Sequence, residues 1–145
     1  MLDRTLIGQA LSAHETLVER GRLRFFAKAI GETDPVYIDE AAAQAAGHAS
    51  LPVPPTFLFC LEMEQPDPFA WFRRVGLDLA RVLHGEQRFT YHAMAYAGDT
   101  LRFESRIADI YDKKGGALEF LVKETRVSNQ QGRHIADLRS VIVQR

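Results

Sequence analysis

An α+β domain, in which a curved antiparallel sheet wraps one buried helix, is the fold class this sequence predicts. Apolar residues recur at helical spacing in the first half of the chain and alternate with period two in the second half. The last alternating segments are separated only by short turn signals, as an antiparallel meander requires. A short extended piece over residues 14–18 comes first. Residues 19–30 then place Leu23, Phe26, Ala27 and Ile30 on one helical face, and Gly31 closes the helix. Residues 31–35 form a turn, because Pro35 keeps Asp34 out of helical geometry. Asp39 caps a short alanine-rich helix that stops at Gly47, and residues 51–55 form an extended proline-rich arm. Pro55 suits the first turn of a helix over residues 56–63, which is apolar nearly all round at its start and is therefore the buried one. From Glu86 the alternation sets in, with Phe89 and Tyr91 against Arg88 and Thr90. Leu101, Phe103, Ser105 and Ile107 then alternate with Arg102, Glu104 and Arg106. Lys114, Gly115 and Gly116 signal a hairpin, residues 117–127 a strand, residues 129–132 a turn and residues 135–143 the last strand. Phe120 and Val122 oppose Leu121 and Val127, so both faces of that strand carry apolar residues; the second face is a candidate for contact with another subunit.

The 145 residues are expected to form one domain, residues 1–145, with no linker or repeat. Eighteen Lys and Arg against 19 Asp and Glu leave a net charge of −1, so neither nucleic acid nor a membrane surface is an expected partner. No apolar run is long enough to span a bilayer, and the first residues lack the regions of a signal peptide. Cys60 is the only cysteine, as expected in a reducing, cytoplasmic setting. Scattered histidines and carboxylates show no metal-ligand spacing, and there is no nucleophile elbow or phosphate-binding glycine loop. Neither a metal nor a nucleotide cofactor is expected.

The segment from Phe25 to Tyr37 carries the most information about function. Its turn holds Glu32, Asp34-Pro35 and Tyr37. Three further patches accompany it: Pro54-Pro55-Thr56-Phe57, His84-Gly85-Glu86-Gln87-Arg88-Phe89 and Ala97-Gly98-Asp99-Thr100-Leu101. In this order and spacing they resemble the MaoC-like (R)-specific enoyl-thioester hydratases and dehydratases, a hotdog-fold family with the signature Gly-Asp-x-Asn-Pro-x-His. The likeness is to the N-terminal type of domain, found in double-hotdog proteins and as the non-catalytic subunit of the mycolic-acid-pathway dehydratases. At the signature's Asp, Asn and His positions this chain carries Glu32, Asp34 and Tyr37.

Hydrating an unsaturated thioester needs an activated water at the β-carbon, a proton for the α-carbon and donors for the enolate oxygen. The resemblance implies an Asp/His pair for the first two and N–H groups at the start of the buried helix for the third. Glu32 keeps a carboxylate one methylene further out, and a shift of about 1 Å can cost roughly 100-fold in rate. Tyr37 is a poor base, since a phenol of pKa about 10 is ionised in only about one molecule per thousand at pH 7. Both are candidates for chemistry, but the favoured reading is structural: a packing or substrate-lining Tyr37 and a solvated turn carboxylate at Glu32. His84 is the substitute candidate. It lies eight residues from His92, an even spacing that places both on one strand face with Glu86, Arg88 and Thr90. Asp34, Pro55, Thr56, Phe57, Gly85 and Gln87 are the expected substrate-lining residues, and Arg73, Arg74, Arg81 and Arg88 are candidate phosphate contacts. CoA or phosphopantetheine enters only as part of an acyl-CoA or acyl-carrier-protein substrate. The resemblance thus implies a hotdog subunit, in a homodimer or in a heterodimer whose partner supplies the Asp/His pair. A self-sufficient hydro-lyase using Glu32, Tyr37 or His84, and an acyl-thioester binding module or thioesterase, are the alternatives.

Overall fold

In the computed structural model, which describes residues 1–145, the chain runs β1 (Ala10–Leu17), α1 (Arg20–Ala29), α2 (Glu40–Ala45), α3 (Phe57–Glu62), α4 (Ala70–Val75), β2 (Val82–Tyr91), β3 (Thr100–Lys113), β4 (Leu118–Asn129) and β5 (His134–Gln144). All five strands join one antiparallel sheet in the order β1-β3-β4-β5-β2, which leaves β1 and β2 as its edges. The expected meander is present as β3, β4 and β5. No helix is long and apolar enough to cross a membrane.

Two clusters make up the core. Around α3, Leu58 and Leu61 meet Leu23 of α1 and Phe103, Val127 and Leu138 of the sheet. Around α4, Trp71, Phe72 and Val75 meet Ile107, Ile110 and Leu121. In β4, Leu121 and Val127 therefore face the helices, and the alternation turns Phe120 and Val122 to the opposite face. Phe120 stacks there on Tyr111, with ring centroids 4.7 Å apart.

Four details differ from the sequence reading. Ile30 is 55% exposed, because α1 ends at Ala29 and Ile30 is only its cap. Pro55 precedes α3 rather than opening it, since Thr56 is the N-cap and stands at φ 74°. Helix α4 escaped notice because six residues are too few for a clear period. The most consequential difference is in β2, where the pairing with β5 runs from His84↔Ile142 to Glu86↔Val141 and leaves Gly85 as a bulge. A Cβ on Gly85 would lie 2.8 Å from Val143 Cγ2, so glycine is needed for this close approach. The extra residue inverts the alternation and puts His84 and His92 on opposite faces, against the even-spacing expectation. His84 stacks on Phe59 of α3 at 5.2 Å, while His92 reaches Asp137 alongside the charged face of Glu86, Arg88 and Thr90.

Beneath α3 lies a buried ion pair. Lys123 Nζ donates to Glu62 Oε1 at 2.7 Å, with side chains 10% and 2% exposed. The Thr125 hydroxyl donates to the same oxygen at 2.5 Å, so Ser105, 2.8 Å from Thr125, must be the donor in their contact. Lys123 also sits 5.6 Å from the Trp71 ring centre, linking both core clusters. Lys123→Met is expected to destabilise the protein by about 3–5 kcal/mol, because it leaves a buried carboxylate unpaired. The double variant Glu62→Leu/Lys123→Met should recover most of that loss in urea denaturation, whereas equal losses in both would refute the pairing account.

Candidate functional site

The turn after α1 is built by its own carboxylates. Glu32 Oε1 accepts from the backbone N–H groups of Thr33 and Asp34, each at 2.9 Å. Asp34 Oδ1 accepts from the Val36 N–H at 3.0 Å and caps the 3-10 turn Pro35–Tyr37. Both acids thus close local N–H groups, as Asx-type turns do. Burial is the largest influence on Tyr37, and the nearby charges of Glu32 and Asp34 reinforce it; together they raise the phenol above 10.0. The proton is therefore held more firmly than in a free tyrosine, the opposite of what a general base needs.

Tyr37 and Pro55 line a shallow depression of about 440 Å³ with Val53, Tyr91, His92 and Ala93. At its edge the Tyr91 hydroxyl accepts from the Thr56 N–H at 2.9 Å, and the Phe57 N–H bonds to the Pro54 carbonyl at 3.1 Å. These are the N–H groups at the start of α3 that the resemblance assigns to a thioester oxygen, and both have partners within the chain. A β-branched residue at positive φ is a strained conformation, so Thr56 marks this corner as over-determined by its surroundings. Phe57 points elsewhere: it is 3% exposed and packs 4.7 Å from the Phe26 ring in the core.

His84 belongs to a different cavity. Phe59 of α3, Trp71 and Phe72 of α4, Val82 and His84 of β2, and Ile142 of β5 enclose about 250 Å³ of mainly apolar space, with Lys123 and Ser140 among its polar lining. Gln87 Oε1 accepts from the Ser140 hydroxyl at 2.6 Å and lies 3.1 Å from His84 Nε2, which assigns the proton of that ring to Nε2. His84 and Tyr91 stand at opposite ends of β2, roughly 20 Å apart along a strand at about 3.3 Å per residue. The candidates therefore divide into two groups. Glu32, Asp34, Tyr37, Pro55 and Thr56 gather at the start of α3, and His84, Gly85 and Gln87 gather near its far end.

Of the candidate phosphate contacts, Arg73 pairs with Asp67 at 2.6 Å, Arg88 with Glu86 at 3.3 Å, and Arg81 donates to the Arg145 carbonyl at 2.6 Å. Sequence reasoning missed Tyr91, Lys123 and Glu62. The available signal was a lysine in register with Leu121, Thr125 and Val127 on the inward face of β4. A charge on an otherwise apolar face requires a buried partner.

Because the folded-state pKa of Tyr37 is raised, its contribution to stability is intact below pH about 10 and is lost as pH climbs through the folded value. Urea midpoints measured against pH should therefore fall more steeply for wild type than for Tyr37→Phe on the alkaline side. Parallel curves would show that Tyr37 is not shifted.

Comparison with known proteins agrees with this architecture. Residues 5–138 match the family model described as the FAS1-like dehydratase domain region. A protein of Saccharopolyspora erythraea described as a UPF0336 protein is 35% identical over 147 aligned residues, which cover 99% of this chain and 92% of that one. Among solved structures, the C-terminally truncated HadBC (3R-hydroxyacyl-ACP dehydratase) complex of Mycobacterium tuberculosis is similar with a TM-score of 0.78 and 25% identity, covering 92% of both chains. The ChsH1-ChsH2 complex from the same organism shares the fold at a TM-score of 0.76 and 21% identity, covering 94% of this chain and 84% of that one. The chain belongs to the FAS1-like dehydratase-region family and is a MaoC-like hotdog domain.

Proposed function

We propose that this chain is the acyl-binding, non-catalytic subunit of an (R)-specific enoyl-thioester hydratase or 3-hydroxyacyl-thioester dehydratase. The observation that carries the proposal is the engagement of Glu32. Its carboxylate closes the turn by accepting two backbone N–H groups, and the neighbouring Tyr37 keeps its proton. The N–H groups of Thr56 and Phe57 are likewise satisfied within the chain. Neither Glu32 nor Tyr37 is thus poised as the base for a water held here, and these two N–H groups are not free for a developing enolate.

A partner chain with an intact Asp/His pair supplies what is missing. The similarity to subunits of HadBC and of ChsH1-ChsH2, both described as complexes, supports such pairing. The free edge of the sheet also supports it: β2 has no neighbour on its outer side, and Leu83, Tyr91 and Met94 expose apolar surface along it. The apolar cavity between α3, α4 and β2 gives the acyl chain a place to lie. The substrate brings its own CoA or phosphopantetheine, and the cytoplasm, where such thioesters are handled, is the proposed location.

Purified chain alone should leave the enoyl absorbance of crotonyl-CoA unchanged. Co-purification with a hotdog chain carrying Gly-Asp-x-Asn-Pro-x-His should raise hydration by at least about 100-fold. Hydration by the chain alone that disappears in Tyr37→Phe or Glu32→Gln would overturn the non-catalytic reading. Release of free thiol from acyl-CoA without hydration would replace it with a thioesterase.

A further inference from the structure

Where β2 leaves the sheet, three side chains with metal-binding chemistry converge. His92 follows the last residue of β2, and His134 and Asp137 stand three residues apart on β5. Their ligand atoms all lie within 4.8 Å of one another. His92 Nε2 is 2.7 Å from Asp137 Oδ2, His134 Nε2 is 2.8 Å from Asp137 Oδ1, and the two imidazole rings are 4.2 Å apart. We propose that His92, His134 and Asp137 form a binding site for one divalent transition-metal ion of the zinc, cobalt or nickel type.

Two imidazoles and a carboxylate are the donor set that such borderline ions prefer, and three protein ligands leave a position open for water or another ligand. The backbone under the cluster is fixed by the sheet. Tyr91 pairs with Ala136, and the Ile135 carbonyl accepts from both the His92 N–H at 2.8 Å and the Ala93 N–H at 3.1 Å. Donors around a tetrahedral ion at about 2.0–2.2 Å stand roughly 3.3–3.5 Å apart. The two His–Asp separations are shorter by about half an ångström or more, because each ring donates a hydrogen bond to the carboxylate. The Asp137 side chain is 49% exposed, so it is free to make the small rotation that opens the triangle.

Metal binding and the hydrogen-bonded cluster require different imidazole states. In the cluster, both Nε2 atoms carry protons, since a carboxylate only accepts. A bound ion displaces those protons and moves each neutral ring to its Nδ1–H tautomer. The motif is invisible to spacing rules because one ligand lies just past the end of β2, 42 residues before the second. His92 also lines the depression beside Tyr37.

Untagged protein titrated with cobalt(II) chloride should bind one equivalent, with a visible d–d absorption and a Kd on the order of micromolar, and zinc should displace it. His134→Gln and Asp137→Asn should each weaken binding at least about 10-fold, while His84→Gln should not. Zinc should also move the imidazole nitrogen resonances of His92 and His134 to the Nδ1–H pattern. The absence of a saturable single equivalent would overturn the proposal, as would unchanged affinity in both variants whose folding circular dichroism verifies.

Discussion

A six-residue helix has no independent stability in water, so everything positioned by α3 depends on what holds α3 to the sheet. Apolar contact supplies most of the hold. Phe57, Leu58 and Leu61 are at most 3% exposed, and burying each contributes about 1.5–3 kcal/mol. Such contacts are not directional, and they alone would let the helix slide or turn. The Glu62–Lys123 pair, braced by Thr125 and Ser105, adds the directional constraint and fixes which face of α3 meets β4. Lys123 also lies over Trp71, so the same charge ties α4 into place.

With α3 fixed, its two ends acquire different surroundings. Its start is covered by the Tyr91 hydroxyl from β2, which fills the Thr56 N–H and holds that residue at a strained φ of 74°. Its end opens onto the apolar cavity shared with α4 and β2. The turn from Glu32 to Tyr37 beside the start of α3 is stabilised by its own carboxylates.

Strand β2 joins the two ends and also borders the rest of the molecule. The bulge at Gly85 turns His84 inward onto Phe59, and the remainder of the strand keeps Glu86, Arg88 and Thr90 outward. At its far end, His92 crosses to Asp137 on β5. One extra residue thus decides which histidine serves the cavity and which serves the outer cluster.

Local patterns made much of the architecture legible before any coordinates: period two gave β3, β4 and β5, glycine and proline gave the turns, and Asp39 gave the cap of α2. These features depend on neighbours along the chain, which a sequence displays directly. The motif frame around residues 25–37 likewise identified the family. Other features depend on residues far apart along the chain. The bulge arises where β2 pairs with β5 and leaves Gly85 without a partner, and the ion pair joins residues 61 positions apart. Tyr91 meets Thr56 across 35 positions, and His92 meets Asp137 across 45. No spacing rule encodes such meetings, because pairing register and core burial fix them only when the whole sheet closes. Burial of Tyr37 likewise came only with the folded chain, whereas the hydrogen bonds of Glu32 to Thr33 and Asp34 are local to the turn.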